Sequence, residues 1–242
     1  MIEQVLIVDT ETTGLELENA QVIEIGAILY SLRHQTTIQQ TSVLLPAGDN
    51  PAEKINRIKP AALATLSPSV TELGVTTILE MARMADVIAA HNAEFDRKWF
   101  GSAGNNGVLL PNLVDASDNL LPWVCTCNDF EWPYQTRPGQ SLIDLALAHG
   151  IGVYANHRAL TDCQLLATLF DRMDNLQEMF ESALRPKARF VAVVSYDNRE
   201  LAKQAGFKWF SERKSWERMM PPEDAQQLPF RVRQIGITTG YV

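Results

Sequence analysis

The sequence predicts an α/β protein in which helices flank a mixed sheet of three antiparallel strands followed by parallel strands, with a small α+β unit at the end. Three observations predict this fold. Strand-like segments with short connections come first, helix-like and strand-like segments then alternate, and the charge balance changes sign near residue 185.

The composition is that of a folded chain. The 242 residues are 46% hydrophobic and 21% charged, which suffices to bury a sizeable core over one or two domains.

No basic leader opens the sequence and no apolar run approaches the roughly 18 residues of a membrane span, which predicts a cytoplasmic protein without a membrane partner. The net charge of −8 argues against nonspecific duplex binding but suits a carboxylate site filled by cations.

The first three strands are predicted over residues 4–11, 21–32 and 36–45. The first contains an apolar run, residues 5–8, and becomes acidic at its end, as expected for a buried strand with polar groups at its carboxyl edge. Short polar turns join the three segments, and such tight connections predict an antiparallel meander.

Beyond residue 50 the pattern changes to helices that alternate with strands. The predicted elements, in chain order, are a short helix at 60–66, a helix at 75–85, a strand at 86–92, a helix at 93–100 capped by Asn92, a strand at 123–127, a helix at 142–149 closed by Gly150 and a long amphipathic helix at 159–180. In the last of these, apolar side chains recur at helical spacing as far as Met173.

A second domain is predicted over residues 186–242, after a main domain at 1–185. It holds ten Lys and Arg against six Asp and Glu, a charge of +4, whereas the main domain holds 11 against 23, a charge of −12. Its predicted elements are a strand at 190–196, a helix at 198–205 and a hairpin formed by 207–210 and 216–219.

The three cysteines are expected to be reduced thiols. Their number is odd, and Cys125 and Cys127 lie too close together in an extended segment to bridge comfortably. The Cys-Thr-Cys segment resembles half of a metal site, but no matching Cys/His pair follows it.

Asp9 and Glu11 lie two positions apart on the first predicted strand, so both carboxylates project from one face. Two like charges on a buried strand are costly unless cations offset them. Residues 12–15, Thr-Thr-Gly-Leu, then form a small flexible turn whose backbone amides can approach a substrate. Alone, this pattern is more typical of an exposed strand end.

Two further segments of the sequence place an acidic residue near the start of a predicted helix. Residues 91–96, His-Asn-Ala-Glu-Phe-Asp, place Asp96 in the first turn of a helix behind a strand. Residues 157–162, His-Arg-Ala-Leu-Thr-Asp, place His157 just before the long helix and Asp162 five positions later. Alone, Asp96 is explained by the helix dipole and His157 by a capping role, but these explanations do not account for the three segments jointly.

The order, spacing and context of the three segments resemble those of the proofreading-type 3′-to-5′ exonucleases of the DEDDh family, whose fold is like that of ribonuclease H. Residues 9–14, Asp-Thr-Glu-Thr-Thr-Gly, match the first motif of that family, and 91–96 and 157–162 match the second and third. The resemblance covers residues 1–182 and includes 140–145, which is similar to the helix before the third motif.

The resemblance implies a two-metal phosphodiesterase, and the residue types suit that chemistry. Four carboxylates would hold hard divalent cations such as Mg²⁺ or Mn²⁺: Asp9, Glu11, Asp96 and Asp162. We expect Asp9 to bridge the two ions. Glu11 and Asp162 would hold the ion that carries the attacking water, and Asp96 would anchor the other. Because a histidine can accept a proton near neutral pH, His157 is the expected general base, and the implied product is a nucleoside 5′-monophosphate.

Five residues are candidates for substrate contacts: Thr12, Gly14, Leu15, Asn92 and Phe95. Leu15 and Phe95 would stack on terminal bases or wedge between them, since such contacts tolerate any sequence. An aromatic residue at the position of Phe95 is equally typical of a packed core.

Two other histidines and two of the tryptophans are expected to be structural. His91 ends a predicted strand, and His149 would complement the C-terminus of a helix by its charge. Trp123 and Trp132 are expected to lie in the core or to anchor loops.

The second domain resembles, over about 35 residues, a small module attached to DNA-processing enzymes. Its aromatic residues alternate with cations: Phe207, Trp209 and Trp216 with Lys208, Arg213 and Lys214. Two interpretations are open, contact with a single strand and a role of the aromatic residues in the unit's own core.

The sequence therefore predicts a metal-dependent 3′-to-5′ exonuclease that acts on the 3′ ends of single-stranded DNA or RNA. One alternative is an RNA-trimming, oligoribonuclease-like enzyme, since nothing in the sequence decides how a 2′-hydroxyl is met. Another is a catalytically silent polymerase accessory module, which the complete set of five site residues disfavours. Polymerase or repair proteins as partners, and a homodimer, remain open.

Overall fold

The computed structural model describes residues 1–101, 110–154 and 157–238. Its first sheet contains five strands: β1 (Gln4–Thr12), β2 (Val22–Ser31), β3 (Thr36–Leu44), β4 (Val87–Ala90) and β5 (Trp123–Cys125). Their spatial order is β3-β2-β1-β4-β5. The pairs β1–β2 and β2–β3 are antiparallel, whereas β1–β4 and β4–β5 are parallel. The predicted mixed sheet is confirmed.

β1 lies in the middle of this sheet and is buried on both faces. Val5 and Ile7 belong to one apolar core, and Leu6 and Val8 belong to the other. Because side chains alternate along a strand, Asp9 continues the face of Val5 and Ile7. The uninterrupted apolar run that predicted this strand thus reflects burial from both sides.

Helices cover both faces of the sheet. Their bounds are α1 (Glu53–Asn56), α2 (Pro60–Leu63), α3 (Pro68–Arg83), α4 (Ala93–Arg97), α5 (Leu142–Ala148), α6 (Ala159–Phe170) and α7 (Leu176–Ala183). α5, α6 and α7 pack against the face of β1 that carries Val5, and α3 packs against the opposite face through Ile78 and Met81.

The long helix predicted at 159–180 is wrong, because the chain forms two helices, α6 and α7, there. Residues 171–175, Asp-Arg-Met-Asp-Asn, separate them, and the Tyr30 hydroxyl donates a 2.6 Å hydrogen bond to the Asp171 carboxylate. Phe170 and Phe180 meet in the same core with ring centroids 5.5 Å apart. Both helices bury their apolar stripe in one core, so the spacing looked continuous.

Several predicted bounds also shift. α3 begins at Pro68, seven residues before the expected start, with Pro at its first position, where the missing N–H costs nothing. The predicted helices at 60–66 and 93–100 end at Leu63 and Arg97, and the strand at 123–127 ends at Cys125.

The C-terminal unit has its own sheet and core. Its elements are β6 (Lys187–Ala192), α8 (Arg199–Gln204), β7 (Lys208–Phe210), β8 (Ser215–Met220), α9 (Pro222–Ala225) and β9 (Val232–Thr238). The strand order is β7-β8-β6-β9. The predicted hairpin is β7–β8, whereas β9 was not predicted, and the strand expected at 190–196 ends at Ala192. Phe190, Phe207 and Met220 lie in the core of this unit.

The thiols agree with the expectation from sequence. Cys125, Cys127 and Cys163 are buried free thiols. Among the helices of the described ranges, none is both long and apolar enough to cross a bilayer.

Candidate active site

A glycine in the middle of β2 brings helix α6 down onto the sheet. A Cβ atom on Gly26 would lie 2.3 Å from the carbonyl carbon of Ala159 and 2.4 Å from the backbone nitrogen of Leu160. Gly26 also pairs with Asp9 across the β1–β2 ladder. The first turn of α6, which carries Asp162, is therefore placed beside the acidic end of β1.

Asp9 and Glu11 are two carboxylates whose charged forms are disfavoured by burial and by neighbouring negative charges. Burial raises the pKa of Asp9 well above its usual range, and the charges of Asp96, Asp162 and Glu11 raise it further. Burial, followed by the charges of Asp162 and Glu24, raises the pKa of Glu11 to about 8. Such a cluster is stable as fully charged carboxylates only when cations share the site.

Asp96 is tied to β1 by a neighbouring threonine. The Thr10 backbone N–H and hydroxyl both donate to Asp96 Oδ1, at 2.9 and 2.7 Å. The carboxylate is almost fully buried, and burial raises its pKa to about 7 although the bonds from Thr10 oppose the rise. Thr10 thus links the first and second acidic segments.

Asn92 occupies the position before α4, but its predicted capping bond is wrong. Its side chain makes no cap hydrogen bond, and its φ is +86°. Asn tolerates this left-handed conformation better than most residues, so the chain turns sharply from β4 into α4 at this point and directs Asp96 toward β1.

His157 and Asp162 come together at the start of α6. The His157 backbone N–H donates to Asp162 Oδ2 at 3.2 Å, and His157 has a φ of +58°. One ligand atom each from Glu11, His157 and Asp162 lies within 4.8 Å of the other two. Asp162 Oδ1 is buried without a hydrogen-bond partner among the described residues, as expected of an oxygen that faces a cation.

The donor set fits hard divalent cations. Carboxylate oxygens dominate it, and none of the buried thiols belongs to the Glu11–His157–Asp162 group. Mg²⁺ and Mn²⁺ prefer such oxygen ligands. The raised pKa values and the unpartnered Asp162 oxygen both indicate groups that a bound cation would satisfy.

Glu24 is a residue of this region that sequence reasoning missed. It is 1% exposed and lies opposite Glu11 across the β1–β2 ladder. Its carboxylate accepts from Arg158 Nε at 2.8 Å, from Arg158 Nη2 at 3.0 Å and from the Ala159 N–H at 3.2 Å. It therefore fixes the residues that directly follow His157. The only signal in the sequence is one acidic residue inside an apolar strand.

Four of the predicted substrate contacts form two pairs. Thr12 and Gly14 are hydrogen-bonded in the turn after β1, and Leu15 and Phe95 both contact Lys98. The Thr12 hydroxyl is buried and donates to the Gly14 carbonyl at 2.6 Å, so it stabilises the turn. Leu15 is 70% exposed, and its carbonyl accepts a hydrogen bond from Lys98. The Lys98 ammonium lies 4.5 Å from the centroid of the Phe95 ring, which brings Leu15 and Phe95 to one edge of the site.

Phe95 is half-buried. Two roles were considered for it, a contact with the substrate and a place in the packed core. Its ring packs edge-on against Trp99, with centroids 6.1 Å apart. One part of the ring therefore belongs to the core, while the rest remains accessible.

His91 and His149 make structural contacts, as predicted. His91 Nδ1 and Nε2 lie 3.1 Å from the Thr126 hydroxyl and 2.9 Å from the Gln140 carbonyl, and burial lowers its pKa. His149 is buried, and its Nδ1 donates to the Leu145 carbonyl at 2.8 Å. Trp123 and Trp132 are buried, as expected.

The fold and the arrangement of acidic residues are those of a nuclease, and comparison with known proteins identifies the family. A family model described as "Exonuclease" matches residues 6–170. The chain belongs to this exonuclease family, and the order and spacing of its acidic residues resemble those of the DEDDh type. A second model, described as a domain of unknown function, matches residues 188–235.

Individual relatives agree with this assignment. The chain is 30% identical over 169 residues to the DNA polymerase III subunit epsilon of Treponema pallidum (strain Nichols), covering 68% of this chain and 74% of the relative. Its fold is similar to exonuclease X in complex with 5′ overhanging duplex DNA, with a TM-score of 0.52, 22% identity and coverage of 74% and 99% of the two chains. It is also similar to the nuclease domain of 3′hExo, a DEDDh family member bound to rAMP, with a TM-score of 0.57, 13% identity and coverage of 73% and 93%.

Proposed function

We propose that the protein removes nucleotides from the 3′ end of single-stranded DNA and releases nucleoside 5′-monophosphates. Asp9, Glu11, Asp96 and Asp162 hold two divalent cations, Mg²⁺ or Mn²⁺, and His157 is the general base. The observation that carries the proposal is the convergence of three distant segments on the carboxyl end of β1. The polymerase subunit among the relatives favours DNA over RNA.

The side chains have distinct tasks in the reaction. When bound, the cations acidify the attacking water and offset the charge of the scissile phosphate. His157 is exposed beside Glu11 and Asp162, and it accepts the proton of the water. The water oxygen bonds to phosphorus, the bond from phosphorus to O3′ breaks, and O3′ of the shortened strand gains a proton. Thr10 keeps the Asp96 carboxylate oriented throughout.

Five residues are proposed to receive the terminal nucleotide. The exposed side chain of Leu15 and the accessible part of the Phe95 ring flank its base, since Lys98 contacts both residues. Gly14 lets the turn approach the nucleotide closely, and Thr12 holds that turn. Asn92 is exposed at the entrance to α4.

The domain boundary and the partners belong to the same proposal. We place a catalytic domain at residues 1–185 and a separate domain at 186–242, a division that the distinct sheet and apolar core of the second unit support. Polymerase or repair proteins are the proposed protein partners, since one relative is a polymerase subunit.

Incubation with end-labelled oligonucleotides tests the activity. Single-stranded DNA and RNA of equal sequence, labelled at the 5′ end, are incubated with Mg²⁺ or with EDTA. We expect a ladder that shortens from the 3′ end, faster on DNA, and no cleavage in EDTA. His157→Ala should lower turnover by about 10²- to 10⁴-fold, as is typical of losing a general base. Full activity after exhaustive chelation would contradict the metal assignment, and unchanged turnover in His157→Ala would contradict the role of the base.

A further inference from the structure

A groove runs between α4 and the β7–β8 hairpin of the C-terminal unit. It consists of two adjoining concavities that share Glu94 and Asn128. The first is bordered by Arg97 and Lys98 of α4, and the second continues to Lys208 and Phe210 of β7. We propose that this groove binds the single strand that leads into the active site, a few nucleotides upstream of the scissile bond. This inference rests on the proposed function.

The groove lies beside Leu15 and Phe95, the residues proposed to flank the terminal base. Glu94 is flanked by Phe95, and α4 also carries Asp96. Lys98, on the same border, donates to the Leu15 carbonyl in the turn after β1. A strand whose terminal nucleotide lies between Leu15 and Phe95 therefore has the groove directly beside it.

The composition of β7 suits a ligand rather than a core. All three of its residues are exposed. Because side chains alternate along a strand, Lys208 and Phe210 share the face that lines the groove. Trp209 lies on the other face, where it contacts Trp216 with ring centroids 5.5 Å apart. An aromatic ring beside a cation is the pattern with which proteins bind single strands without sequence preference.

The charge of the groove is opposite to that of the chain. Five cationic side chains line it, Arg97, Lys98, Arg189, Lys208 and Arg218, against three acidic ones, Glu94, Asp129 and Glu217. Two of the acids have cationic partners: Asp129 contacts Lys187 at 2.6 Å, and Glu217 contacts Arg213 at 3.0 Å and the groove residue Arg189 at 3.7 Å. On a protein of net charge −8, a net positive groove is a specific attraction for phosphates.

The groove is built by contacts that fix the C-terminal unit against the main domain. Lys187 of β6 and Asp129 form a buried ion pair across the two units. A Cβ on Gly206, just before β7, would lie 3.2 Å from the Pro138 Cβ. These contacts hold the hairpin at a defined distance from α4.

The aromatic and basic residues of this unit therefore fall into two groups, those that belong to its core and those that face the groove. Phe207 is buried in the core of the unit, and Trp216 is half-buried against it. Arg213 is bound to Glu217 and lies 4.9 Å from the centroid of the Phe210 ring. Lys208 and Phe210 are left as the groove-facing pair.

Matched variants of the full chain test the groove. Lys208→Glu and Phe210→Ala change the groove face. Lys214→Glu makes the same charge change in the same hairpin outside the groove, and Trp209→Ala truncates an exposed aromatic residue on the opposite face. KM and kcat are measured with Mg²⁺ on (dT)20 and on (dT)3, and thermal melts verify folding. Phe210→Leu, which removes the ring but keeps apolar volume, replaces Phe210→Ala if the latter melts early.

We expect the groove variants to raise KM for (dT)20 by about tenfold, the size of one lost stacking contact. Values for (dT)3 should stay within about twofold of the wild type, and the two controls should behave as the wild type on both substrates. Equal KM for (dT)20 in groove and control variants would overturn the proposal. So would an equal loss of kcat on (dT)3, because the hairpin would then act on the active site itself.

A binding measurement separates this inference from the proposed function. Fluorescence anisotropy of fluorescein-labelled (dT)20 in EDTA reports binding without hydrolysis. If the wild type cleaves nothing yet binds (dT)20, and the groove variants bind about tenfold more weakly than the controls, the proposed function fails and the groove stands. If the wild type cleaves DNA and all variants bind equally, the groove fails and the function stands.

Discussion

At the scale of single residues, Thr10 shows how a neutral side chain organises a charged site. Its hydroxyl and backbone N–H hold one oxygen of Asp96. Asp96 is buried, so a lost hydrogen bond is not replaced by water. Loss of a partner that orients a metal-binding side chain typically lowers metal affinity or activity by about 10- to 100-fold.

Thr10→Val tests this role. Valine keeps the shape and suits a strand, but it removes the hydroxyl donor, so we expect the Mg²⁺ concentration for half-maximal activity to rise by about 10- to 100-fold. Thr10→Ser, which keeps the hydroxyl, should stay near the wild type. A Mg²⁺ titration of activity measures both variants, and an unchanged midpoint in Thr10→Val would show that Thr10 does not position Asp96.

At the scale of elements, the site depends on how closely α6 approaches β2. The approach is possible because residue 26 has no side chain, and a methyl group there would overlap the backbone at Ala159 and Leu160. That backbone leads directly to Asp162, and Glu24 holds its first N–H group.

Gly26→Ala should therefore displace the first turn of α6. We expect a loss of stability of about 1–3 kcal/mol from overpacking and a fall in kcat of roughly 10²-fold, the effect of a misplacement near 1 Å. Gly48→Ala is the matched control, because nothing lies within 4 Å of its added Cβ. Chemical denaturation and steady-state kinetics give the two numbers. Wild-type kinetics in folded Gly26→Ala would mean that α6 tolerates displacement without harm to the site.

The elements also show what sequence can predict. β1 and β2 were predictable because their apolar residues are a local signal, and β3 because a short polar turn joins it to β2. The break between α6 and α7 was not, because residues on both helices face one core and keep helical spacing across the gap. β9 was missed since its pairing with β6, including a register shift at Arg189/Phe190, is set by tertiary contacts.

The residues of the candidate site likewise divide into those that the sequence could predict and those that it could not. Asp9, Glu11, Asp96, His157 and Asp162 could be predicted because charged residues stand in a recognisable order along the chain. Thr10 and Glu24 could not, since their roles arise only when α4 and α6 are packed on the sheet. Neither residue type is distinctive at its position in the sequence.

At the scale of the whole molecule, the carboxylate cluster makes stability depend on pH when cations are removed. The folded chain holds protons with pKa values of about 8 at Glu11 and about 7 at Asp96, whereas the unfolded chain releases them near pH 4. The contribution of these groups to stability is thus fully present below about pH 4 and is lost as the pH rises through 7 to 8.

In EDTA we accordingly expect the melting temperature to fall between pH 5.5 and pH 8, and Glu11→Gln should flatten this slope. Mg²⁺ should raise the melting temperature more at pH 8 than at pH 6, because cations bind deprotonated carboxylates. Thermal melts in the two buffers measure both effects. A melting temperature that rises with pH in EDTA would show that the carboxylates are not protonated in the folded chain.

The most direct test of the central claim combines one substitution with one substrate. Asp9→Asn keeps the size of the side chain and removes a negative charge that would hold the cations. With 5′-labelled single-stranded DNA and Mg²⁺, we expect the wild type to shorten the strand from its 3′ end. Asp9→Asn should be slower by roughly 10²-fold or more, with a melting temperature in EDTA equal to the wild type or higher because like-charge repulsion is relieved. Asp144→Asn, at an exposed carboxylate on α5, should retain wild-type activity. Near-wild-type cleavage by Asp9→Asn would contradict the account.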